Sequence, residues 1–395
     1  MIQARSGDRT LSLTGSMVVD AAGNFTMQLA GSGGTTPPDP EPPQNAITIT
    51  PTGGDDTALI QQHLNDLPAG ETLMLSGMFK VQNTIYLEGY SKTIAGDPAK
   101  QSGIRSTNSG IMGGPYASMF CLRGADECLV RDLEFDAQRH PTELVYFTDT
   151  NASGIRDCYL HDVACNPSGP PYGAIHSEGV GSIFVIGCRV ENTKKGGANV
   201  RGVWIRANTV LIDGCTVRDT GHTGIAAEGV SVLVAGNTVE RAQTDGTGSK
   251  MCYRQSGYQG YKRARDVQPA MHYKENVIRD TINGGLMLED CGAAAVLIEG
   301  CNFVNCGAQG TSFGPIYSPY SITGLQFRNN RIENCRSQGA LRHAHNCAFT
   351  DQTFVGGSDV LHLEDDCHGI TLTRSGKAGV GSNCSQITVD GVVIA

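Results

Sequence analysis

The side chains with the widest chemical reach fall in one set of short, similar segments. These are GAIHSEG from Gly173, GVWIRAN from Gly202, GIAAEG from Gly224, GLMLEDC from Gly285, PIYSPY from Pro315, ALRHAHN from Ala340 and VLHLEDD from Val360, with MCYRQ from Met251 in the gap between them. If each is a strand with Ile225 and its equivalents inward, alternate residues point outward. The first outward column then holds His176, Trp204, Ala226, Cys252, Met287, Tyr317, Arg342 and His362. The second holds Glu178, Arg206, Glu228, Arg254, Glu289, Pro319, Ala344 and Glu364.

Carboxyls, imidazoles and guanidiniums on one face permit several chemistries. Glycoside hydrolysis with inversion requires one protonated and one ionised carboxyl, roughly 6.5–9.5 Å apart. Glu178 and Glu228 would lie two strands apart, about 9.6 Å at the usual strand spacing. Arg206 stands between them and favours the ionised form of both, which counts against either as the acid. Glu364, Asp365 and His362 form a second candidate group, without a paired arginine. A lyase reaction would need a cation to neutralise a uronate and a base to take the α proton. Apart from such a cation, no cofactor and no resident metal is expected.

Binding without bond breaking is the other possibility. Aromatic rings stack on sugar faces and cations suit acidic glycans. His176, Trp204, Arg206, Tyr317, Arg342 and His362 fit that role, as do Tyr253, Arg254, Tyr258 and Tyr261 in the segment 245–268. A plainer reading competes with both. Glu178, Arg206, Glu228, Arg254 and Glu289 alternate in sign, as in a structural charge ladder in which each pair contributes about 0.2–1 kcal/mol. The segment 245–268 could equally be a solvated loop or a subunit contact.

The chain has to place these columns on a regular scaffold. Its 395 residues include 51 glycines, 6% aromatics and one tryptophan, a composition of short strands and tight turns rather than of helices. A net charge of −9 argues against a nucleic-acid partner. No apolar run is long enough for membrane insertion, and the first residues show no apolar signal segment. Fourteen cysteines include no CxxC, so reduced, buried thiols are expected in place of a cysteine-bound zinc. Residues 1–31 alternate as a small β-strand module, residues 32–45 form a Gly/Pro linker, and residues 46–395 continue without another break.

A repeat underlies that last region. LIDGCTVRD, IRDCYLHD, VIGCRVEN, VAGNTVER, IEGCNFVN and FRNNRIEN align on a central small or polar residue, and with the further copies around Leu133, Asn276 and Gln352 the anchors are Leu133, Cys158, Cys188, Cys215, Asn237, Asn276, Cys301, Asn330 and Gln352. Successive anchors are 25, 30, 27, 22, 39, 25, 29 and 22 residues apart. Three residues before and two after each anchor stands an apolar side chain, among them Val185 and Val190, Ile212 and Val217. Four after it comes Asp or Asn, as at Asp162, Asn192, Asp219 and Asp280, residues that tolerate a left-handed turn. Such a unit buries its apolar face only by stacking on copies of itself.

From about Thr50 onward the chain resembles the pectate-lyase-like β-helix superfamily. The segment GDDTALIQQHLNDLPAGETLMLSGMFKVQNTIYL, residues 54–87, is similar to the capping helix of that fold: Asp55 or Asp56 is the N-cap, and Leu59, Ile60, Leu64 and Leu67 form one apolar stripe. The fold implied is all-β, a right-handed single-stranded parallel β-helix with an N-terminal capping helix, preceded by the small β module. Pectate-lyase relatives use acidic calcium (Ca2+) ligands and a basic residue, and the resemblance implies Glu289, Asp290 and Arg342 for those roles. Polygalacturonase-like relatives carry a catalytic glycine–histidine–glycine. Here GHTG interrupts it with threonine, so His222 reads as a turn residue. The small module, the Pro linker and the strand-like VVIA ending most resemble a bacteriophage tailspike or virion appendage. That resemblance implies a homotrimer that recognises, and could depolymerise, a host surface polysaccharide. Residues 1–31 would dock on a virion tail or capsid protein, and the protein would assemble in the host cytoplasm and act outside. The alternatives are a secreted bacterial polysaccharide lyase, hydrolase or epimerase, and a non-catalytic structural or decoration protein of a phage particle.

Overall fold

A computed structural model describes residues 46–108, 118–164, 173–178, 181–193, 200–243, 271–282, 284–288, 291, 295–307 and 314–395, and places 2–6, 9–13, 17–19, 25–27, 245–250, 270 and 289 in strands. From Ala46 the chain winds into a right-handed parallel β-helix with three sheets, as its repeat requires. Sheet I has twelve strands, from Ile85–Tyr90 to Lys377–Val380, and sheet II has eleven, from Met78–Val81 to Thr353–Val355. Sheet III begins at Ala46–Ile49 and runs to Ser385–Val389, where Val392–Val393 folds back antiparallel. Of the N-terminal strands, Ile2–Ser6 pairs with Arg9–Leu13 and Met17–Val19 with Phe25–Met27, both antiparallel.

The core follows from the period-2 pattern. Phe135, Leu160, Val190, Val217, Val239, Ile278, Phe303 and Ile332 stack in register through sheet II. Val130, Ile155, Val185, Ile212, Val234, Tyr273, Ile298, Phe327 and Phe349 do so through sheet III. All are buried, so each coil covers the apolar face of the last. The turn residues behave as their types suggest: Asp162, Asn192, Asp219, Asp280, Asn305 and Asn334 all have φ between 51° and 61°.

The anchor between those two apolar positions sits inside the bend. Cysteine fills it at Cys158, Cys188, Cys215 and Cys301, and burial pushes the Cys301 thiol up to about 12, so it stays protonated. Asparagine fills it elsewhere and satisfies backbone that the bend leaves unpaired. Asn276 Oδ1 accepts the Asn237 N–H at 3.0 Å, and its Nδ2 donates to the Val234 carbonyl at 2.8 Å. Asn237 Oδ1 in turn accepts the Cys215 N–H at 2.8 Å, and Gln352 closes the series on Asn330 at 3.0 Å.

The capping helix spans Thr57–Asp66, with Asp56 as the residue before it and Ile60, Leu64 and Leu67 buried on the first coil. The two aspartates divide the work. Asp55 accepts the Thr57 N–H at 3.1 Å, whereas the buried Asp56 accepts from Thr52 N at 2.8 Å and Lys80 N at 3.1 Å. Asp56 therefore fixes the helix to sheet II.

Candidate functional site

Sheet I carries the predicted columns. Tyr146, His176, Trp204, Ala226, Gly248, Met287, Tyr317, Ala340 and His362 are successive partners across it. Beside them run Arg206, Glu228, Lys250 and Glu289. Two assignments change. The coil after Glu228 uses Asp245–Lys250, so Gly248 and Lys250 take the places expected for Cys252 and Arg254. Arg342 leaves the first column for the second, where it faces Glu364, and Ala344 belongs to sheet III. A slip by an even number of residues, four in the first case and two in the second, preserves the alternation, so alternation alone could not see either change.

The first part of this face is a closed polar network rather than an open groove. His176 stacks on Trp204, with ring centroids 4.6 Å apart and planes at 13°. Its Nδ1 meets Glu143 Oε1 at 3.0 Å, and Tyr146 packs edge-on at 5.2 Å. The Trp204 indole N–H donates to Glu228 Oε1 at 2.7 Å, and Arg206 Nε donates to Glu228 Oε2 at 2.9 Å. Arg206 also reaches Glu178 at 3.7 Å, and the guanidiniums of Arg201 and Arg206 lie 4.1 and 4.2 Å from the centre of the indole. His176 is 2% exposed and Trp204 8%. Both oxygens of Glu228 are thus engaged by side-chain donors from the preceding coil.

Further along, the face is more open. Tyr317 and His362 flank Ala340 on sheet I, and both are half-buried. Arg342 Nε donates to Glu364 Oε2 at 2.8 Å, which corrects the expectation that the Glu364 group lacks an arginine. That bond and the charge of Glu364 raise the Arg342 pKa further. Asp365 is exposed with φ 50°, in the turn that follows. Glu289 lies in a strand of the same sheet, in register with Lys250. Tyr253, Arg254, Tyr258, Tyr261 and Asp290 lie outside the described residues.

Three features escaped the sequence reading. Glu143 and Tyr146 extend the column one coil earlier; HPTELVYF lacks the glycine that opens most of the other segments, so it did not align. On the outer face of sheet II, Arg105, Asp136, His161, Glu191, Arg218, Glu240 and Arg279 follow in register, basic and acidic side-chain types alternating. Burial pushes Glu191 up, but Arg189 and Arg218 outweigh it and hold its carboxyl below the usual range. Third, part of the outer face of sheet III is apolar: Phe184, Ile186, Leu211 and Leu233 form a buried cluster of their own. His222, in the GHTG turn, bonds Thr223 Oγ1 at 2.9 Å, and burial with Arg201 nearby lowers it to about 4.

A family model described as the right handed beta helix region matches residues 99–257 and 268–395. No curated protein matches the sequence. Among solved structures the chain is similar to the catalytic domain of a GH87 alpha-1,3-glucanase in complex with tetrasaccharides: 13% identity, TM-score 0.56, covering 91% of this chain and 70% of that one. It is also similar to ORF18 of Geobacillus virus E2, at 15% identity and TM-score 0.51, covering 79% of this chain and 62% of that one. The Dettilon tailspike protein gives 12% identity and TM-score 0.51, covering 88% and 68%. The chain thus spans 62% of the length of the Geobacillus virus E2 protein. At these identities the likeness is one of fold.

Proposed function

The chain belongs to the right-handed β-helix family, and from that premise we propose that it is a glycan-recognition appendage of a bacteriophage particle, tailspike or fibre in type. Sheet I is the face that holds a host surface polysaccharide. The observation that carries this reading is the single column in which Tyr146, His176, Trp204, Tyr317 and His362 share one sheet, flanked by Arg206 and Arg342. The buried part, around Trp204, makes a stiff support, and the more open part, from Tyr317 to His362, is the contact surface. Residues 1–31 form the docking module, 32–45 the linker and 46–395 the glycan-binding β-helix. The particle tail or capsid is the partner of the first, and three chains assemble on it.

Recognition without cleavage is the main reading, because Glu178, Glu228 and Glu364 each lie against an arginine. Cleavage is the second reading, and one observation favours it. Glu143 orients the His176 imidazole at 3.0 Å, the geometry of a carboxylate that fixes a ring for proton transfer.

The test incubates purified protein with a panel of bacterial capsules and lipopolysaccharides, following retained glycan, new reducing ends and absorbance from unsaturated uronates. Retention of one glycan without products is expected. Reducing ends alone would assign a hydrolase, and reducing ends with absorbance a lyase. No retention across a broad panel would overturn the reading in favour of a structural protein.

A further inference from the structure

His345 and His368 face each other on adjacent strands of sheet III, away from the proposed glycan face. Their rings stack with centroids 3.8 Å apart and planes at 24°. Asp366 completes the group from the turn just before His368. Its Oδ2 lies 3.8 Å from His345 Nε2 and its Oδ1 3.7 Å from His368 Nδ1. Two consecutive left-handed residues, Asp365 at φ 50° and Asp366 at φ 51°, make the turn that sets the carboxylate there.

These separations are too long for hydrogen bonds. They suit donors that share an ion: ligands about 2.0–2.2 Å from a tetrahedral metal lie roughly 3.3–3.6 Å from one another. A donor atom from each of the three residues lies within 4.8 Å of the other two. The His345 Nε2–H also donates to the Asp366 carbonyl at 3.2 Å, a bond the metal would replace as the ring proton moves to Nδ1. Side-chain exposures of 27%, 58% and 38% for His345, Asp366 and His368 leave the group open to entry from solvent.

A second group of similar composition, Glu134, Asp136 and His161, differs in a decisive way. There His161 Nδ1 meets Asp162 at 2.9 Å, its Nε2 meets Glu134 at 3.2 Å, and Asp136 accepts from Arg105 at 3.0 Å. Its donors are spent on one another and on the charge ladder.

We propose that His345, Asp366 and His368 bind one divalent transition-metal ion of the zinc class, with its remaining positions taken by water. Two imidazole nitrogens select zinc, nickel or copper over calcium or magnesium. The ion clips two successive coils of sheet III to the turn between them.

The experiment uses untagged full-length protein stripped of metal with a chelator, then titrated calorimetrically with zinc chloride and, in parallel, calcium chloride. One equivalent of zinc is expected to bind, and calcium is not. The double variant His345→Ala with His368→Ala, and separately Asp366→Asn, should each weaken zinc by about tenfold or more. Cobalt(II) should load without a thiolate charge-transfer band. Circular dichroism checks that the variants keep the fold, and His368→Gln offers a milder substitution if the double variant does not. No zinc binding by the wild-type protein would overturn the proposal. Unchanged binding in folded variants, or a cobalt–thiolate band, would also overturn it by assigning the metal to the cysteines.

Discussion

The imidazole of His176 lies nearly parallel to the indole of Trp204, 4.6 Å away, while the indole N–H is held by Glu228 at 2.7 Å. One ring therefore joins three adjacent coils of sheet I. Trp204→Ala should cost about 3–5 kcal/mol in chemical denaturation, the range for removing a large buried aromatic. Trp204→Phe keeps a ring for His176 but leaves Glu228 without its indole donor, and should cost roughly 1–3 kcal/mol. Because Trp204 is the only tryptophan, its emission also reports this position directly. A glycan that binds along sheet I should shift it.

Asn276 bonds the backbone of the preceding coil twice, through its Oδ1 to Asn237 N and its Nδ2 to the Val234 carbonyl. Asn276→Ala should orphan both groups at a cost of roughly 1–3 kcal/mol each. Native-state hydrogen exchange should show the Asn237 amide losing protection before amides remote from this bend.

The sheet II ladder makes a signed prediction about acid. Arg189 and Arg218 hold the Glu191 carboxyl below its ordinary range. The folded state then binds fewer protons than the unfolded one as pH falls through the carboxylate range. The stability Glu191 supplies is fully present above its unfolded value and is lost as pH drops through its folded value. Glu191→Gln should remove about 1.5–3 kcal/mol at neutral pH and flatten that part of the acid-denaturation curve.

His222 titrates in the same direction for a different reason. Burial, then the nearby Arg201, depress it to about 4. Between the unfolded value near 6.5 and about 4 the unfolded chain takes up a proton that the folded one refuses, so stability falls as pH drops across that window. His222→Asn should reduce the slope there. NMR of the imidazole would check the folded value, and a normal titration near 6.5 would refute it.

Arg342 and His362 test the proposed glycan contact. Arg342→Ala should weaken glycan retention about tenfold, the loss expected for one charge-assisted contact, and His362→Ala should weaken it less. Stability should change little, since the Arg342–Glu364 pair lies near the surface and is screened by solvent.

How far these features were legible differs from residue to residue. The inward columns could be read directly, because burying one face of a strand forces alternation at Val185 and Val190 as it does at Ile212 and Val217. The left-handed turns were legible at Asp162 and Asn192, since few other residue types accept that conformation cheaply. The anchors were visible as a series of cysteines and asparagines, though not the reason for the asparagines, which lies in backbone groups contributed by neighbouring coils.

The sequence by itself determined the coil, its period, its inward faces and the sheet on which the polar columns stand. Only the tertiary structure decided which outward residues meet. Period-2 alternation is blind to any even shift, so the pairing of Arg342 with Glu364 and the use of Lys250 for Arg254 needed the register. Partners from separate coils, such as Glu143 with His176 or His345 with His368, lie more than twenty residues apart in the chain. Stacking brings them within bonding distance because the coils repeat every strand spacing in space, whatever the number of residues between them.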